Sequence, residues 1–145
     1  MATRAEWFRE VDASRVPPEA RLAAHLMLDY ASRDLGLEGL QIVWVKPTDP
    51  TFGKLERLLA EMAGTRPDSF EAEPFTGLSR TFTRDRIWVR ADLPPRETAL
   101  AVAHEARHVW QFTHYRPPLT PQELEVAERD ATEYERRAYR AVFGE

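Results

Sequence analysis

The chain has 145 residues, a formal net charge of −4, 43% hydrophobic residues and 30% charged residues, enough for one ordinary domain with a real core. The mixed charge gives no footing for nucleic acid or an anionic membrane, and no apolar run approaches the roughly 18 residues that cross a bilayer. Cysteine is absent, which removes disulfides and thiolate ligands, so any bound metal must sit on His, Asp or Glu.

The first dozen residues carry Arg4, Glu6, Arg9, Glu10 and Asp12 and no apolar run, so nothing reads as a signal peptide and a cytoplasmic protein is expected. A helix is expected from Pro17-Pro18, where proline suits the first turn, through Leu35 to a stop at Gly36. Its inner side is read as Leu22, Leu26 and Tyr30 with Ala23 and Met27, and His25 is given a structural role. Leu40 to Val45, "LQIVWV", is short, β-branched and aromatic, and reads as a strand closed by Lys46-Pro47. A short helix is expected over Pro50 to Met62 and a loop over 64–76. "LSRTFTRDRIWVRADL" follows as a hairpin turning near Arg84-Asp85, with Ile87 and Val89 alternating against Trp88 and Arg90.

Pro94-Pro95 opens the next helix, expected through about Phe112, and "HYRPPLT" connects it to the last one. The last helix has a strong start signal in Thr120-Pro121-Gln122-Glu123, a capping box with proline at the first helical position, and runs to about Phe143.

The helix after Pro95 carries "HEARH". Residues four apart on a helix differ by about 40° around the axis and roughly 6 Å along it, so His104 and His108 can reach one ion from one face. Glu105, turned by about 100°, is off the ligand axis but within reach of a water beside the ion. That is the chemistry of H-E-x-x-H: two neutral nitrogen ligands and a carboxylate that accepts a proton. Val102, Ala106 and Val109 define the opposite, apolar face, so the two histidines are expected to face a cleft or solvent rather than the core.

A catalytic zinc needs one further protein ligand. His114 stands ten positions after His104, the metzincin spacing H-E-x-x-H-x-x-G-x-x-H, but Gln111 occupies the glycine position and no methionine follows the motif. The alternative is an acid of the last helix. Glu128 borders its apolar stripe (Leu124, Ala127, Ala131, Ala138, Val142); Glu135, two turns on, has nearly the same azimuth, and Glu125 and Asp130 are further candidates.

With "ERDATEYE", read as E-x-x-A-x-x-Y over Glu128, Ala131 and Tyr134, the chain resembles the gluzincin type of zincin metallopeptidase, in particular the minigluzincins and phage-type single-domain zinc peptidases. Thr132 and Glu135 stand where that signature has Asp or Asn and Ala. The resemblance implies an α+β, zincin-like single domain over residues 1–145. In it a small mixed β-sheet sets an edge strand beside the H-E-x-x-H helix, and a Glu-bearing helix follows. It implies one zinc per chain on His104, His108 and Glu128, with Glu105 as general acid/base in peptide hydrolysis. Arg107, His114, Tyr115 and Tyr134 are candidates for oxyanion or substrate contacts, and the expected partner is a peptide or protein substrate. The alternative class is a catalytically idle or latent zincin that serves as a peptide-binding module.

Overall fold

The computed structural model describes residues 8–47, 85–115 and 120–144. The expected helix over Pro50 to Met62, the loop over 64–76 and the first arm of the hairpin lie outside them. Among the described residues the chain forms three strands, a 3-10 turn and three α-helices. In order these are β1 (Phe8–Glu10), the turn Ala13–Arg15, α1 (Pro18–Leu35), β2 (Gln41–Pro47), β3 (Arg86–Arg90), α2 (Pro95–His114) and α3 (Pro121–Phe143). No described helix is long and apolar enough to cross a membrane.

The sheet is mixed, in the order β1-β2-β3. β1 is antiparallel to β2, pairing Arg9 with Lys46, and β2 is parallel to β3, pairing Ile42 with Ile87 and Trp44 with Val89. A parallel pair cannot be closed by a tight turn, which accords with the long stretch of chain between Pro47 and Arg86. Ile87 and Val89 are buried while Trp88 and Arg90 are half-buried, the alternation of a strand with one face on a core. β1 and the 3-10 turn have too few residues to show periodicity. Asp12 caps that turn by accepting from the Ser14 N–H at 2.8 Å.

Pro18 opens α1 and Gly36 closes it in the left-handed conformation at φ 67°, its N–H returning to the Ser32 carbonyl. The inner face agrees with the expected one at Ala23 and Met27 and differs at the leucines. Ala20, Ala23, Ala24, Met27 and Ala31 are buried, whereas Leu22 is 62% and Leu26 46% exposed. The reason lies in the neighbour: α1 packs mainly on α2, whose Ala99, Ala103 and Ala106 are fully buried in the same core cluster. Small residues on both sides let the two helices approach closely, and the leucines stay on the flank. His25 is exposed on the same helix.

α2 runs to His114, two residues beyond the expected end, and is covered on most sides. α1 and β3 take its apolar faces, and α3 lies over the face that carries the histidines. His104 is therefore fully buried and His108 only 5% exposed, which corrects the expectation that they face a cleft or solvent. A polar face can be buried at all because α3 meets it with polar partners of its own.

Candidate metal centre

Two helices build the site. α2 presents His104, Glu105, His108 and Gln111, and α3 presents Glu128, Asp130 and Glu135; of these only Asp130 is more than a tenth exposed. α3 is set in place by the cap read from the sequence, with Thr120 Oγ1 accepting from the Glu123 N–H at 3.1 Å. Along α3, Glu128, Ala131 and Glu135 form one buried stripe, as positions three and seven residues on should.

The two imidazoles lie 4.8 Å apart, centroid to centroid, at 79°. His104 sits between two carboxylates: Nδ1 is 2.8 Å from Glu135 Oε1 and Nε2 is 2.9 Å from Glu128 Oε2. His108 repeats the arrangement with different partners. Its Nδ1 is 2.7 Å from Gln111 Oε1, and its Nε2 is 3.0 Å from Glu128 Oε1. Both Nε2 atoms therefore converge on the two oxygens of one carboxylate, while both Nδ1 atoms are held from outside.

Burial alone would raise the Glu128 carboxyl, but attraction to His108 and the hydrogen bond and charge of His104 hold it below the usual carboxylate range. The arrangement demands positive charge. An ionised carboxylate only accepts, and so does the Gln111 oxygen, so a neutral imidazole donating from Nδ1 turns a lone pair towards Glu128. Lone pairs facing a buried carboxylate at such distances are repulsive unless protons or a cation lie among them. His108 Nε2 and Glu128 Oε1 lie 3.0 Å apart, close enough for both to reach one common point.

A metal ion fits that point. One ligand atom each from His104, His108 and Glu128 lies within 4.8 Å of the other two. Ligands on a tetrahedral zinc are about 3.3 Å apart, and imidazole nitrogen and carboxylate oxygen are donors that zinc accepts. The outer contacts match as well, because metal-binding histidines usually donate their second ring N–H to a carboxylate or carbonyl. Among the described residues this is the only such group.

The other residues singled out from the sequence are placed as follows. Glu105 follows His104 on α2 and is 7% exposed. His114 is exposed at the end of α2, 2.8 Å from the Trp110 carbonyl through Nδ1 and stacked on the Trp110 ring, outside the cluster. No helix break occurs at Gln111, so the metzincin geometry is not formed. Tyr115 is 65% exposed beyond it.

Arg107 forms a two-point pair with Asp130, at 2.7 and 3.2 Å, and lies over the Trp110 ring at 4.0 Å. The Tyr134 hydroxyl donates to Asp34 at 3.0 Å, and burial followed by the Asp34 charge pushes its pKa well above the ordinary phenol value. Glu125 pairs with Arg129 on the surface. Sequence reasoning weighed Glu135 only as an alternative third ligand and gave Gln111 no part around the histidines. Their signals were present in outline, as a second acid two turns after Glu128 and an amide one turn after His108.

No protein-family model matches this chain, and no curated protein or solved structure shows significant similarity to it.

Proposed function

We propose that the chain is a zinc-dependent metallopeptidase of the gluzincin type, with His104, His108 and Glu128 as ligands and Glu105 as general acid/base. The observation that carries the reading is the gathering of two imidazoles about one buried carboxylate, with one ligand atom of each residue within 4.8 Å of the other two and a glutamate directly after the first histidine. A zinc ion held there supplies Lewis acidity, polarising a carbonyl oxygen and making water more acidic. Glu105 takes a proton from the attacking water and returns it to the leaving amine. Glu135 and Gln111 hold the imidazoles in register. β3, at the sheet edge among the described residues and packed on α2, offers an extended peptide a strand to pair with.

The burial of His104, Glu105, His108 and Glu128 together favours a second reading for the form described. In that reading the zincin is latent, or idle and peptide-binding, and does not turn over until the site is opened. Glu105→Gln separates the two. It keeps the shape and leaves the ligands alone, so zinc content and melting temperature should match the wild type. If the chain is an active peptidase, hydrolysis of a broad peptide library falls by several orders of magnitude in the variant. Equal cutting by both proteins assigns the activity elsewhere, and zinc-loaded protein that cuts nothing supports the latent or binding reading.

A further inference from the structure

We infer that Gln111 is the positioning residue of His108, and that Arg107, acting through Asp130 and Gln111, keeps the His108 Nε2 lone pair turned towards Glu128. The inference rests on reading the cluster as a metal site. Arg107 donates to Asp130 through Nε at 2.7 Å and a terminal nitrogen at 3.2 Å. Gln111 Nε2 donates to Asp130 Oδ2 at 2.8 Å and to the Ala127 carbonyl at 2.9 Å, and Gln111 Oε1 lies 2.7 Å from His108 Nδ1.

Each link has one direction. A guanidinium only donates, and an ionised carboxylate and a backbone carbonyl only accept. Asp130 takes the two Arg107 donors and the Gln111 amide together, so both of its oxygens face donors. The Gln111 amide therefore cannot be reversed without setting its oxygen against two acceptors. Its Oε1 faces the ring, and His108 Nδ1 must be the N–H donor. The ring is steadied on a further side by Phe112, stacked parallel at 5.5 Å.

The choice of an amide is physical. His104 is held by a carboxylate, Glu135, but at Gln111 a second carboxylate would lie against Asp130. A neutral side chain that accepts on one end and donates on the other fits between a ring N–H and an acid, and glutamine offers both. Its partners lie on both helices, so the aim of His108 is tied to the docking of α3 on α2.

The test uses full-length Gln111→Leu, and a double variant joining Gln111→Glu to Asp130→Asn, which restores an acceptor for His108 and gives the new carboxylate an amide donor. Zinc affinity is measured by competition with a chromophoric chelator. The His108 Nδ1–H proton is followed by heteronuclear NMR with and without zinc. Gln111→Leu should lose the protected proton and bind zinc about 10–100-fold more weakly, and the double variant, whose new carboxylate still faces the Ala127 carbonyl, should recover the proton and part of the affinity. A purely structural glutamine would lower the melting temperature of the metal-free protein while proton and affinity stayed as in the wild type, and that result overturns the inference. Wild type that binds no zinc would sink the metal reading; the proton then decides alone, its loss in Gln111→Leu supporting the relay and its survival overturning it.

Discussion

His104 has both ring nitrogens committed in a fully buried position, one to Glu128 and one to Glu135. The two acids consequently have different tasks on one ring. Glu128 meets both histidines through its two oxygens, whereas Glu135 meets the outer nitrogen of His104. Glu128→Ala should thus lower zinc affinity by orders of magnitude, and Glu135→Ala by about 10–100-fold, as loss of an outer partner does. His114→Ala should bind zinc as the wild type does, because His114 lies exposed on the Trp110 ring. Chelator competition on the three variants checks the order, and zinc lost with His114→Ala but kept with Glu128→Ala would overturn the ligand set. The histidine pair was legible because four-residue spacing fixes a shared helix face. Helix geometry did not divide Glu128 from Glu135, which only the resemblance separated, since seven residues bring a helix back to almost the same azimuth and only the level of the partner ring tells them apart.

Helix ends and helix faces were legible to different degrees. Proline at Pro18, Pro95 and Pro121, the Thr120 cap and Gly36 act through the local backbone, so the three helices start and stop within about two residues of expectation. The buried side of α1 is decided by what it packs against. Periodicity treats Leu22 and Leu26 as better core residues than alanine, but the alanines of α2 reward close approach over side-chain bulk. Met27→Ala should therefore cost about 2–5 kcal/mol, as truncation of a fully buried methionine does, while Leu22→Ala should change stability by no more than about 0.5 kcal/mol. Chemical denaturation of both variants checks this, and a larger loss at Leu22 would return the inner face to the leucines. On α3 the same logic singles out Ala131, fully buried between Glu128 and Glu135. Ala131→Leu adds volume to a packed interface and should cost about 1–3 kcal/mol while weakening zinc binding, since the two acids flank it.

At the scale of the molecule, the α2–α3 interface is unusual in what it buries: His104, Glu105, His108, Glu128 and Glu135 together. Desolvated ionisable groups commonly stabilise less than apolar residues of the same volume would, and each retained charge costs several kcal/mol before its partners offset it. An interface of that composition is poorly suited to holding α3 by itself. A cation at the convergence of His104, His108 and Glu128 changes the balance, because it binds the docked form and has no preformed site in the unfolded chain. The stabilisation then follows mass action, about 4.1 kcal/mol when free zinc is a thousandfold above its dissociation constant. At roughly 3 °C per kcal/mol for a chain of this size, the melting temperature should rise by about 12 °C between chelator-treated and zinc-saturated protein. Glu128→Ala should abolish most of that rise, whereas Glu105→Gln should preserve it, since Glu105 is not a ligand. Calorimetry across a zinc titration makes the measurement. A melting temperature indifferent to zinc in the wild type would mean that the buried acids and histidines are a purely structural ion-pair network, with the positive charge supplied by protons on the imidazoles.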